Sequence, residues 1–117
     1  MKPGRLIAIA CLALSILTSG AHAAPLEIQP VTDGVYALVG EKQQRNPENL
    51  ANNATFGAVV TAEGVLLIDP GGSWTGAQAI HEAIRSLTDK RVKYVIDTGG
   101  QDHRWLGNGY WKAQGAT

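Results

Sequence analysis

The chain has 117 residues, with ten Lys and Arg against ten Asp and Glu, so its formal net charge is zero. No basic stripe runs through it, which argues against nucleic acid as a main partner. Its one cysteine, Cys11, leaves no intramolecular disulfide and no multi-thiolate metal centre open to it.

Residues 1–23 read as an export signal. Lys2 and Arg5 give a positive start, and Leu6 to Leu17 form an apolar run shorter than the roughly 20 residues a bilayer-spanning helix needs. Ala21-His22-Ala23 supplies the small-x-small pattern of a cleavage site, against the plainer reading of an uncleaved anchor or a buried core helix. Cleavage after Ala23 predicts a periplasmic or secreted protein without a stable membrane anchor. It also removes Lys2, Arg5, Cys11 and His22, leaving eight Lys and Arg against ten Asp and Glu, a net of −2. The mature segment, 24–117, is one small domain with a modest core.

Along that segment, Leu26–Gln29 and Val35–Val39 read as short strands, with Pro30 and Asp33-Gly34 marking the turn between them. Glu41–Asn53 is polar, rich in Asn and Gln, and reads as an exposed loop. Thr55–Thr61 and Gly64–Ile68 follow as a hairpin pair around Ala62-Glu63. The continuous apolar run Val65-Leu66-Leu67-Ile68 predicts a strand covered on both faces.

Asp69-Pro70-Gly71-Gly72 ends that strand, and Thr75, with Gln78 three residues on, reads as the N-cap of a helix. Ala77, Ile80, Ala83, Ile84 and Leu87 recur at helical spacing and give it one apolar stripe. Val92–Ile96 is the next strand, and a short helix begins near Trp105 or Asn108. This order predicts an α/β layered domain. The Val92 strand and the aromatics from Trp105 to Trp111 would leave apolar surface needing a further layer, so the domain reads as incomplete.

Asp33-Gly34-Val35-Tyr36, Gly64-Val65-Leu66-Leu67-Ile68-Asp69, the following helix and Tyr94-Val95-Ile96-Asp97-Thr98 together resemble the N-terminal half of a metallo-β-lactamase-fold protein, an αββα architecture. The resemblance spans roughly Leu26 to Asn108. In that family the strand after the first helix ends in Thr-His-x-His-x-Asp-His-x-x-Gly-Asn. Here Thr98 and Gly107-Asn108 take the outer positions. Without gaps, Gly99 and Gln101 fall on the two leading histidines, His103 on the Asp and Arg104 on the last His. A shifted alignment, with one deletion and one insertion, places Asp102-His103 on the Asp-His pair.

The resemblance implies zinc or another divalent metal as cofactor, and a metal-held hydroxide attacking an ester, amide or thioester carbonyl of a small-molecule substrate. The metal-ligand candidates it leaves are His103 and Asp102. Asp69, Gln101 and Asn108 would support them, Gln101 only as a weak oxygen donor. A catalytic zinc normally takes three protein ligands and keeps one open position, a count that Asp102 and His103 do not reach. The 117 residues alone are therefore expected to be inactive. The longer protein would be either an exported hydrolase-like enzyme with an altered metal loop or a non-catalytic binding protein that kept the fold. A truncated product without function is the third possibility.

Each candidate also has a plainer role. His103 reads more simply as an exposed loop histidine, Asp102 as an Asx-turn or capping residue, and Asp69 as a turn or N-cap residue. His81 lies off the apolar stripe and reads as a solvated helix-face residue. Trp105, Tyr110 and Trp111 read as core rather than as the rim of a pocket. Gly71-Gly72 and Gly99-Gly100 lack the spacing and the Lys of phosphate loops. Asn53-Ala54-Thr55 is a sequon by pattern alone.

Overall fold

A computed structural model describes residues 25–117, so the export signal read over 1–23 lies outside the described residues. Five strands form one sheet in the order β1 (Glu27–Thr32), β2 (Val35–Val39), β3 (Thr55–Val60), β4 (Val65–Ile68), β5 (Val92–Ile96). The first four pair antiparallel, and β5 joins β4 in parallel after the crossover helix α1 (Trp74–Leu87). A 3-10 turn (Asp102–Arg104) and a short helix α2 (Asn108–Ala113) follow. No helix among the described residues is long and apolar enough to cross a membrane.

The strands fall where the apolar runs place them, except that β1 continues through Pro30 to Thr32. An edge strand allows this, because a proline there forfeits no ladder bond on its open side. The ladder shifts register between Pro30 and Thr32, and Gly34 turns the chain with φ 73°. A side chain at Gly34 would meet the Val60 carbonyl at 2.9 Å, so the tight turn requires glycine.

Both helices cover one face of the sheet. Ala77, Ile80 and Ile84 of α1 and Tyr110 and Trp111 of α2 close over Leu38, Phe56, Ala58, Val65, Leu67 and Val92. The expectation that β4 is covered on both faces fails among the described residues. Val65 and Leu67 are fully buried, whereas Leu66 and Ile68 are half-buried and pair with the exposed Tyr94 and Ile96 on the opposite face. Past α2 the chain returns to β5, where Thr117 takes Val95 N–H at 2.9 Å and donates to the Lys93 carbonyl at 3.0 Å.

Four further expectations are corrected. The N-cap of α1 is Ser73, not Thr75: the Ser73 hydroxyl accepts Gly76 N–H at 2.8 Å and donates to the Leu50 carbonyl at 2.6 Å. That second bond ties the cap to the polar loop and decides which hydroxyl serves.

The loop itself is not simply exposed. Asn49 and Asn52 are each 3% exposed, and Leu50 and Ala51 adopt left-handed backbone, φ 53° and 64°. Asn52 Nδ2 donates to the Gly76 carbonyl at 2.9 Å, docking the loop on the start of α1.

His81 is no free surface residue. Its Nδ1 lies 2.7 Å from the Tyr110 hydroxyl, and its ring packs 5.1 Å from that of Trp111. Burial, then the Arg85 charge, lowers its pKa below the ordinary 6.5. Finally, Tyr110 and Trp111 are core, but Trp105 is 47% exposed.

Candidate functional site

In a parallel strand pair the chain leaves both strands on the same side, so the segments after β4 and β5 meet at one mouth. Asp69 is the first residue past β4. Its φ of 64° is a conformation Asp tolerates better than most side chains. Its N–H donates to the Ile96 carbonyl at 2.9 Å. Its carboxylate, on a residue 7% exposed, accepts Thr98 N–H at 2.8 Å and the Thr98 hydroxyl at 2.8 Å. One carboxylate thus holds the first turn after β5 against the end of β4.

The two segments stay joined beyond this clamp. Gly71 N–H donates to the His103 carbonyl at 3.1 Å, Gly107 N–H to the Gly71 carbonyl at 2.9 Å, and Trp111 Nε1 to the Pro70 carbonyl at 2.9 Å. A methyl at Gly107 would lie 2.2 Å from the Pro70 oxygen, so only glycine lets the backbones approach this closely. Asn108 opens α2 and donates through Nδ2 to Asp97 Oδ2 at 2.7 Å. It therefore braces the two ends of the loop and stands apart from Asp102.

Between these ends lies the tip. Gly99, Gly100 and Gln101 are exposed, and no side-chain bond holds Gln101. Asp102 is paired with Arg45, whose hydrogen bond and charge hold its carboxyl below the usual carboxylate range. The part-buried His103 has its Nε2 3.4 Å from Arg104 Nε, while its carbonyl is taken by Gly71. An open cavity of 410 Å³ lies beside Asp97, Asn108 and Val95, not over Asp102-His103.

Among the described residues no three His, Cys, Asp or Glu side chains gather as a metal-binding group. Asp69 is engaged by Thr98, Asp97 by Asn108 and Asp102 by Arg45. Gly99 offers no side-chain donor. These residues by themselves do not fit a zinc centre, which needs three convergent ligands.

Among the partners that escaped the sequence reading are Thr98 as that of Asp69 and Arg45 as that of Asp102. Each joins residues far apart in the chain, 29 and 57 positions, so no local spacing announces them.

The arrangement of sheet and helices recurs in solved structures. The metallo-β-lactamase FIM-1 from Pseudomonas aeruginosa, solved in its mono-zinc form, superposes with a TM-score of 0.63 at 15% identity, over 80% of this chain and 41% of its own. A metallo-β-lactamase from Pontibacter korlensis gives 0.62 at 21% identity, over 78% and 41%. The enzyme from Hirschia baltica gives 0.63 at 14%, over 80% and 42%.

The chain has the fold of the N-terminal half of a metallo-β-lactamase.

It spans about two-fifths of the length of these metallo-β-lactamases. No family model matches the sequence, and no curated protein matches it either. The metallo-β-lactamase likeness thus rests on shape. Identities of 14–21% carry the fold and leave the activity open.

Proposed function

We propose that this chain is the N-terminal part of an exported, hydrolase-like protein of metallo-β-lactamase fold with an altered metal-binding loop. It takes a small-molecule substrate or ligand at the mouth of β4 and β5, in the periplasm or outside the cell. The observation that supports this reading is the Asp69–Thr98 clamp, which keeps the loop from Asp97 to Gly107 at the carboxyl ends of the strands. Ligands of open α/β sheets bind at that edge. Asp102 and His103 are the residues this chain offers a divalent metal such as zinc, and the remaining donors would come from outside these 117 residues.

A second reading is a non-catalytic binding protein of the same fold. Two observations favour it: Gly99 and Gln101 stand at the histidine positions of the resemblance, and Arg45 already occupies Asp102. Elemental analysis separates the two readings, on the mature protein in its longest expressed form after growth with zinc, iron and manganese. Stoichiometric metal that disappears in His103→Ala is the expected result for the hydrolase-like reading. A metal-free wild type would sink it and leave the binding protein.

A further inference from the structure

The loop between β2 and β3 is built to present Arg45. Asn46 and Asn49 bracket one another: Asn49 N–H donates to Asn46 Oδ1 at 2.7 Å, and Asn46 N–H to Asn49 Oδ1 at 3.1 Å. Asn49 Nδ2 also donates to the Gln44 carbonyl at 3.0 Å, so both neighbours of Arg45 are tied to the buried Asn49. Asn52 and the Ser73 hydroxyl fasten the far end of the loop to α1. Arg45 therefore leaves from a fixed base, which lowers the entropy lost on holding its long side chain in one place.

Its guanidinium meets Asp102, the first residue of the 3-10 turn, whose carbonyl accepts the N–H of Trp105 at 3.2 Å and of Leu106 at 2.9 Å. The one other ion pair among the described residues, Lys93–Glu63, lies by the β3–β4 turn and leaves the tip untouched.

We infer that Arg45 is the cation that holds Asp102, the residue the resemblance offers to a metal, so that the tip from Gly99 to Trp105 is ordered without metal. The inference deepens the binding-protein reading and rests on it. A guanidinium supplies positive charge and planar N–H donors. It supplies no open coordination position at which water is activated. With Arg45 in place the tip shapes a surface and does not generate a nucleophile.

Hydrogen exchange on metal-free protein tests this. Both partners are about half exposed, with side-chain exposures of 45% and 48%, so the pair is a modest tether. Arg45→Ala should speed exchange at the amides of Arg104, Trp105 and Leu106 about two- to fivefold, the range expected for losing an exposed ion pair. Arg45→Lys should recover part of that protection, and the amides of α1 should not change. Asp102→Asn, which leaves the Asn46–Asn49 bracket intact, should give the same acceleration. Unchanged exchange in both Arg45→Ala and Asp102→Asn would overturn the tether. Excess zinc should leave these amides of the wild type as they are; zinc-dependent slowing would overturn the replacement of metal by Arg45. Stoichiometric zinc that binds without affecting them would remove the binding-protein reading alone and leave the Arg45 tether standing.

Discussion

At the seam between β4 and β5 the polar groups are directed at one another. Asp69 holds Thr98 twice, Gly71 and Gly107 bond backbone to backbone, and the Trp111 indole closes on Pro70. At the tip, only a few residues away, two glycines and Gln101 face solvent, and a single half-exposed ion pair holds Asp102. The seam places the loop; the tip would supply its chemistry. A loop fixed at both ends and lightly held between them can exchange its functional side chains while the fold stays intact. That is how a chain keeps the metallo-β-lactamase frame without the histidines of the resemblance.

The contrast predicts large losses at the seam. Trp111 is 1% exposed, packs against His81 and Tyr110, and bonds Pro70 through Nε1. Trp111→Ala should cost about 3–5 kcal/mol in urea unfolding, from lost burial and the cavity left behind. Trp111→Phe should cost less, since it keeps a ring and loses mainly the indole bond to Pro70. If a tip substitution proves equally costly, the contrast between seam and tip is wrong.

Asp69→Ala is the next largest, about 1–3 kcal/mol, because it leaves the Thr98 donors without their acceptor in a part-buried place. Asp69→Asn should cost less, since an amide oxygen still accepts from Thr98 N–H and Asn tolerates a φ of 64°. Thermal melting of the two variants side by side measures the carboxylate itself. Equal losses would mean that the carboxylate itself, rather than the left-handed backbone or a single accepting oxygen, is what matters at Asp69.

The elements of the fold were legible in the sequence because their signals are local. Gly34, the run from Val65 to Ile68 and the stripe from Ala77 to Leu87 each announce their element within a few residues. Asp69 and Thr98 were visible as positions, but not as partners. The N-cap was misplaced because Thr75 and Gln78 imitate a capping box, whereas Ser73 is selected by Leu50, 23 residues earlier. The buried asparagines of the polar loop were missed for a related reason. Their composition resembles that of a solvated loop, and only the fold brings Gly76 to satisfy Asn52. Arg45 is the extreme case, since nothing near it in sequence indicates Asp102.

The aromatic layer behind the seam gives a smaller, pH-dependent effect. Burial and then Arg85 lower the His81 pKa, while the Glu82 charge opposes them. The unfolded chain therefore takes up the His81 proton at higher pH than the folded one. The stability tied to neutral His81 is full above about pH 6.5, the ordinary histidine value, and is lost as pH falls through the lowered folded value. Melting temperature should accordingly drop on acidification across that window, and His81→Gln should flatten this part of the profile. A profile unchanged by His81→Gln would show that burial and the Arg85 charge give His81 no linkage to folding.

The smallest effects belong to the tip, and they bear most directly on function. Gln101 has no side-chain partner, and His103 reaches only Arg104 Nε at 3.4 Å. Gln101→Ala and His103→Ala should each change metal-free stability by no more than about 0.5 kcal/mol, as surface substitutions away from buried networks do. A fold that spends its directed bonds on placing a loop, and almost none on these two side chains, leaves them free to be used by something other than the fold. A metal-free loss well above that figure at His103 would show instead that the histidine is a structural residue, and the tip would then have only the weak oxygen donor Gln101 left unbonded to offer a metal.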